Sequence, residues 1–251
     1  MKHPLRITTI NLCAENPMSK TTLIKKWIDV LLKLKVDILF IQEIFNIEKF
    51  ATDLGMKLLN IDHGDGICVL INPSKLVIID NNHVKLHSDI NPIYIGGVHL
   101  DDIPSLSHHM INMIYKSSEI IPLSLTRQQL LKLCAKRRLP RLQEELKSIK
   151  NADRAIIAGD FNEPSHLDLD NIQTPCSIEL AKNGFIDTYR HMHGLDKSGY
   201  TWPAAQFYKN EPDQRIDFIY TKNVEIVSSD TYGEGSKWIS DHKMVITDIL
   251  V

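Results

Sequence analysis

The sequence lacks any apolar run long enough to span a bilayer, which takes roughly 20 consecutive apolar residues. Its apolar stretches, such as residues 36–44, are short and are broken by Asp37, Gln42 and Glu43. Met1-Lys2-His3-Pro4-Leu5-Arg6 has no apolar core of the length a secretory signal needs. The expectation is a soluble, cytoplasmic protein, although export without a cleaved signal would leave no mark. Cysteine is scarce: Cys13, Cys68, Cys134 and Cys176 lie far apart and form no CxxC pair. That excludes a disulfide-stapled scaffold and reads as small buried hydrophobes in a reducing compartment. Repeats, low-complexity tracts and Gly/Ser linkers are lacking too, so the expectation is one domain over residues 1–251. Nor is there an excess of one charge: 29 Lys+Arg stand against 31 Asp+Glu, for a net −2. A domain that lives on a nucleic-acid backbone is usually more basic. Aromatic residues, at 7%, are few for base stacking.

What is there is ordinary globular composition, 43% hydrophobic and 24% charged over 251 residues, enough for a sizeable core. Short β-rich runs alternate with amphipathic stretches. The pattern predicts strands at 6–12, 37–42, 67–71, 76–79, 93–99, 154–158, 215–220, 224–228 and 245–250. Helices are predicted at 21–34, with Leu23, Ile24, Trp27, Val30, Leu31 and Leu34 on one face, at 139–149, and at 177–182 before Gly184. Many strands with few helices between them suggest a mixed α+β protein with substantial antiparallel pairing.

Polar residues recur where the predicted strands end, where a scaffold can present them to a ligand. Asn11 closes Ile7-Thr8-Thr9-Ile10, and Glu43 closes Ile38-Leu39-Phe40-Ile41-Gln42. A carboxylate after such a run is costly unless a charge awaits it, and a hard divalent cation is the usual answer. Taken alone, each also reads as a strand-end cap. His99 ends Ile95-Gly96-Gly97-Val98. Asp160 and Asn162, in Ile156-Ile157-Ala158-Gly159-Asp160-Phe161-Asn162, are read as lying on one side of an extended chain, able to hold a water or share a metal. In Gln214-Arg215-Ile216-Asp217-Phe218-Ile219-Tyr220, Arg215, Asp217 and Ile219 are expected on one face. Ser240-Asp241-His242 adds a carboxylate and an imidazole that Asp217 can orient.

The order of these motifs from Ile7 to Val251 resembles the endonuclease/exonuclease/phosphatase superfamily of metal-dependent phosphoesterases. The resemblance implies a four-layer α/β/β/α sandwich of two mainly antiparallel sheets, with the site where strand-end loops converge. It further implies Mg²⁺ or Mn²⁺, as one or two ions, held by Glu43 with Asn11 and Asp241 nearby. By the same resemblance, Asp160 deprotonates the attacking water, and Asn162 orients the water or the phosphate. His242, held by Asp217, donates to the phosphoryl oxygens, while His99 meets the phosphate or the leaving group. Tyr200 and Trp202, in Gly199-Tyr200-Thr201-Trp202-Pro203, match a substrate-edge aromatic turn, with plain core packing as the other reading of Trp202.

Residues 101–141 hold seven Lys/Arg and three Asp/Glu, a local +4 concentrated at Lys136, Arg137, Arg138 and Arg141. Arg138 is accordingly a candidate phosphate contact, or else part of a solvated helix face. The segment is also rich in Leu, Ile and Met (Met110, Ile111, Met113, Ile114, Ile120, Ile121, Leu123, Leu125), as a lid with peripheral membrane contact or a packed hairpin would be. The leading expectation is a monomeric hydrolase of a small or lipid-like phosphomonoester or phosphodiester. The alternatives are a DNA or RNA nuclease, with nucleic acid the less favoured substrate, and a non-catalytic interaction protein. Presence of all of Asn11, Glu43, Asp160, Asn162, Asp217, Asp241 and His242 argues against the last.

Overall fold

Strands that are buried at every position need cover on both faces. Ile38–Gln42 (ILFIQ) and Ile67–Ile71 (ICVLI) are buried throughout and lie inside a sheet with helices on one side and a second sheet on the other. The computed structural model describes residues 2–12, 20–62, 66–103, 125–149, 152–169, 172–203, 212–233 and 238–251. In chain order the elements are β1 (Pro4–Asn11), α1 (Lys20–Leu34), β2 (Ile38–Gln42), α2 (Ile47–Leu54), β3 (Lys57–Asp62), β4 (Ile67–Ile71), β5 (Leu76–Ile78), β6 (His83–Leu86) and β7 (Ile93–His99). They continue as α3 (Arg127–Ser148), β8 (Arg154–Asp160), α4 (Pro175–Lys182), β9 (Ile186–Asp187), α5 (Thr188–His193), β10 (Asp217–Lys222), β11 (Glu225–Tyr232) and β12 (Met244–Leu250).

Two six-stranded sheets result, ordered β11-β12-β1-β2-β4-β3 and β5-β6-β7-β8-β10-β9. Each has one parallel pair, β1–β2 and β7–β8, and is otherwise antiparallel. Between the sheets Ile7, Phe40, Val69 and Val245 meet Ile95, Ile156, Ala158 and Ile219. Trp27 of α1 and Phe50 of α2 cover the outer face of the first sheet on Leu39 and Ile41. Leu142 of α3 and Leu180 of α4 cover the second on Tyr94 and Ile157. This is the expected α+β sandwich with helices on both outer faces.

Register places the polar strand ends together. Asn11 pairs with Gln42, one residue before Glu43. His99 pairs with Asp160 across the parallel β7–β8 ladder, and Asp160 pairs with Asp217 across β8–β10. The bond from Ser240 Oγ to the Asn11 carbonyl (2.7 Å) draws residues 240–242 to the same end.

Several expectations are corrected. α3 begins at Arg127, well before 139, because Thr126 and Gln129 form a capping box and Pro140 lies inside the helix rather than at its start. The sequence reading also missed α2, β3, β6, β9 and α5, most of them short elements that give periodicity little to work on. Arg215 does not share a face with Asp217: it precedes β10 and its guanidinium lies 4.5 Å from the Phe218 ring centroid, on the outer face. The apolar residues expected to form a lid or hairpin, Met110, Ile111, Met113, Ile114, Ile120, Ile121 and Leu123, lie outside the described residues, as does Cys13. Cys68, Cys134 and Cys176 are buried thiols. Among the described residues no helix is long and apolar enough to cross a membrane.

Candidate active site

Each polar side chain at this end has a local reason for its place. Gly159 takes φ 148°, and a Cβ there would come within 1.8 Å of the Val98 carbonyl, so only glycine lets β8 run this close to β7 before Asp160. Glu43 leaves β2 in the left-handed region (φ 58°), with its N–H donating to the Gly66 carbonyl (3.0 Å). Asn162 is left-handed too (φ 48°), an uncommon conformation for a side-chain-bearing residue. The two motif residues are therefore not side by side on an extended strand, as the sequence suggested. Asn162 N–H donates to Asp160 Oδ1 (2.8 Å) and its Nδ2 donates to the Leu100 carbonyl (2.9 Å).

With Oδ1 engaged, Asp160 Oδ2 faces the other groups. It accepts from Asn11 Nδ2 (3.2 Å) and lies 3.9 Å from His99 Nε2 and 3.8 Å from His242 Nε2. The same Asn11 amide donates to Glu43 Oε1 (3.0 Å), which is 4.0 Å from His99 Nε2. His242 Nδ1 lies 2.9 Å from Asp217 Oδ2, and because a carboxylate can only accept, Nδ1 carries the proton. Burial alone would lower the His242 pKa, but Asp217 and then Asp160 outweigh it and raise it to about 10. Burial, and next the Asp217 charge, push the Asp160 carboxyl up to about 6 against the pull of His242 and His99.

Of the residues singled out from the sequence, Asn11, Glu43, His99, Asp160, Asn162, Asp217, Asp241 and His242 converge here. Trp202 is buried beside them, its Nε1–H directed at Asp241 Oδ2 (3.3 Å), so it braces a carboxylate rather than lining an open edge. Tyr200 is exposed. Arg138 is not part of the site. Its side chain is fully buried on α3, donating to the Asp101 carbonyl (2.7 Å) and to Glu163 (3.3 Å), and so cannot reach a phosphate. Arg141 faces Glu145 and Arg137 faces Asp101 in a partly exposed pair, so much of the local positive excess is matched by acidic side chains of the same chain.

Sequence reasoning missed Thr201, whose buried hydroxyl accepts the N–H groups of both Ile216 and Asp217 (3.1 Å each) and so fixes the start of β10. It also missed a charge cluster in which Arg215 meets Asp168 (2.9 Å) and Asp187 (2.6 Å) and Arg190 meets Asp168 (2.7 Å).

The donor set suits a hard cation. Glu43, Asp160, Asp217 and Asp241 bring four carboxylates to one strand-end cluster, and among the described residues Asp217 Oδ1 is buried with no hydrogen-bond partner. Such an excess of oxygen ligands fits Mg²⁺ or Mn²⁺ better than a soft metal. Asp160, Asp217 and His242 each offer a ligand atom within 4.8 Å of the others. His242 must be neutral to ligate, and the pairing with Asp217 works against that.

Residues 8–242 match the profile of the Endonuclease/Exonuclease/phosphatase family. The chain belongs to that family. A family protein from Bacteroides thetaiotaomicron superposes with a TM-score of 0.65 at 16% identity, covering 100% of this chain and 98% of that one. D. rerio TDP2 complexed with single strand DNA product gives 0.62 at 16% identity, with 98% of each chain covered. TDP2 from Caenorhabditis elegans gives 0.65 at 14% identity, covering 99% of this chain and 75% of that one. At these identities the likeness shows a shared fold. An uncharacterized protein of Caenorhabditis elegans is 31% identical over 103 residues, which cover 34% of this chain and 32% of that protein. The chain thus spans about a third of that relative's length. Members of this endonuclease/exonuclease/phosphatase family are typically hydrolases of phosphoester bonds.

Proposed function

We propose that the protein is a divalent-metal-dependent phosphoesterase that hydrolyses its substrate by in-line attack of an activated water. The observation that carries this reading is the setting of Asp160 Oδ2, within 3.9 Å of His99 Nε2 and 3.8 Å of His242 Nε2 and bonded to the Asn11 amide that also holds Glu43. A carboxyl raised to about 6 is a competent base near neutral pH, and it takes the proton of the water whose oxygen bonds to phosphorus. The P–O bond to the leaving group breaks as that bond forms. His242, kept protonated by Asp217, donates Nε2–H to the phosphoryl oxygens as charge builds there. Asn162, pinned by Asp160 and Leu100, holds the loop next to the attacked phosphorus. Glu43, Asn11 and Asp241 would hold a divalent cation there, which would supply polarisation of a non-bridging oxygen and neutralisation of charge.

For the substrate, we favour a small or lipid-like phosphomonoester or phosphodiester, handled by a monomer. The net charge of −2 and the internal pairing of Arg137, Arg138 and Arg141 give no support to a phosphate-tracking surface. The second reading, a nucleic-acid processing enzyme, draws on the likeness in fold to D. rerio TDP2, whose structure holds a single strand DNA product. The test is turnover of small phosphodiesters, phosphomonoesters, phospholipids, duplex DNA, abasic DNA and RNA with Mg²⁺, Mn²⁺ or EDTA, alongside Asp160→Asn. Metal-dependent turnover lost in the variant is the expected result, and hydrolysis that persists in EDTA refutes the mechanism. Preference for any nucleic acid at about 150 mM salt, where exposed charges are largely screened, moves the assignment to the second reading.

A further inference from the structure

Arg138 is among the largest fully buried side chains, and its ion pair with Glu163 leaves neither side chain exposed. Ion pairs at such depth contribute little net stability compared with apolar residues of the same volume, so their geometry is the more informative property. Arg138 Nε donates to the Asp101 carbonyl (2.7 Å), two residues after His99. Its Nη1 donates to Glu163 Oε2 (3.3 Å), one residue after Asn162 and three after Asp160. Glu163 Oε1 in turn accepts the Cys176 N–H (2.8 Å) at the start of α4. The two loops are also stitched to each other, by Leu100 N–H to the Asp160 carbonyl (2.9 Å) and by Asn162 Nδ2 to the Leu100 carbonyl. One guanidinium therefore spans the loop that follows His99 and the loop that follows Asp160, and anchors both to α3.

We infer that Arg138 is a positioning residue: it is the strut between these two loops and holds in place the chain that leaves the β7–β8 ladder after His99 and Asp160. The inference rests on the proposed role of those two residues, and it takes the residue that sequence reasoning assigned to the substrate and gives it an indirect task. A planar fork with donors on separate nitrogens pointing in two directions suits this task, whereas the donors of a lysine ammonium all sit on one nitrogen at the end of a flexible stem. Displacement of reacting groups by about 1 Å costs on the order of a hundredfold in rate.

The experiment compares wild type with Arg138→Lys, which keeps the buried charge opposite Glu163 but not the second contact, and with Glu163→Gln. Three readouts are taken: thermal melting, kcat and KM on the best ester from the panel, and amide hydrogen exchange in metal-free protein. Expected for Arg138→Lys is kcat lowered at least tenfold with KM within about twofold, since the residue touches no substrate. Exchange should quicken at Leu100, Asn162 and Cys176 while Ile156 and Ile157 in β8 keep wild-type protection. Glu163→Gln should show the same pattern in milder form. A purely structural role predicts instead that strand and loop amides quicken together, with kcat following only the folded fraction; that result overturns the inference, as does unchanged exchange at the three loop amides. If wild type hydrolyses no ester, the proposed function fails, yet the exchange pattern still decides whether the strut exists. If a variant does not fold, the milder Glu163→Gln carries the comparison, and wild-type exchange and kcat in a folded Glu163→Gln refute the strut.

Discussion

His242 Nδ1 meets Asp217 Oδ2 at 2.9 Å, and this bond joins the loop before β12 of the first sheet to the first residue of β10 in the second. It is buried on both sides and has Asp160 as a further negative neighbour. The imidazole therefore holds its proton far above the range of free histidine.

Replacement of Asp217 tests that pairing. In Asp217→Asn without metal, the His242 pKa should drop from about 10 toward the free value near 6.5, as followed by NMR titration of ring protons. Because the folded value is the raised one, the stability this proton confers is complete below about pH 6.5 and fades as pH climbs toward 10. The variant should lose that increment, and an unchanged titration would refute the pairing.

Asp160 gives the opposite outcome for stability. Its carboxyl titrates at about 6 in the fold, against 3.8 for the free group, so folding is favoured while it is protonated and disfavoured as pH rises through that window. In EDTA, Asp160→Asn should be more stable than wild type at pH 8 by on the order of 3 kcal/mol, with the gain shrinking to nothing near pH 4. Urea unfolding at the two pH values measures this. Turnover should be abolished in the same variant.

Glu43→Gln should leave the fold intact, since its side chain is partly exposed and a glutamine Oε1 can still accept the Asn11 Nδ2–H. Mg²⁺ affinity by isothermal titration should fall at least tenfold, a loss that even an outer partner of a metal ligand can produce. Unchanged binding would remove Glu43 from the ligand set.

Trp202→Phe removes the donor at Asp241 Oδ2 while keeping a buried aromatic ring. Divalent-ion affinity should fall about tenfold with KM for the ester unchanged. A rise in KM with unchanged metal binding would instead make Trp202 a substrate contact.

Thr201→Val leaves the N–H groups of Ile216 and Asp217 without their shared acceptor in a buried setting. The expected loss of stability is about 1–3 kcal/mol by denaturant unfolding, the usual cost of orphaned buried donors. A loss confined to activity would mean that the backbone finds another acceptor.

Strand ends were legible in the sequence because an apolar run that stops at Glu43, His99 or Asp160 has a local chemical cause: a charged or polar group cannot continue into the core. The order of those motifs pointed to the sandwich and to eight residues that do converge. What the chain could not disclose locally was pairing across long separations. Arg138 looks the same in sequence whether it faces a phosphate or Glu163, and only the packing of α3 on the second sheet gave it a buried carboxylate. Arg215 two residues before Asp217 obeys strand alternation on paper, but β10 starts after it, and Asp168 and Asp187 draw its guanidinium outward. Local composition thus determined which residues are polar at a strand end, and tertiary structure decided which charge each one meets, because a buried charge is settled by its nearest partner and not by its neighbours in sequence.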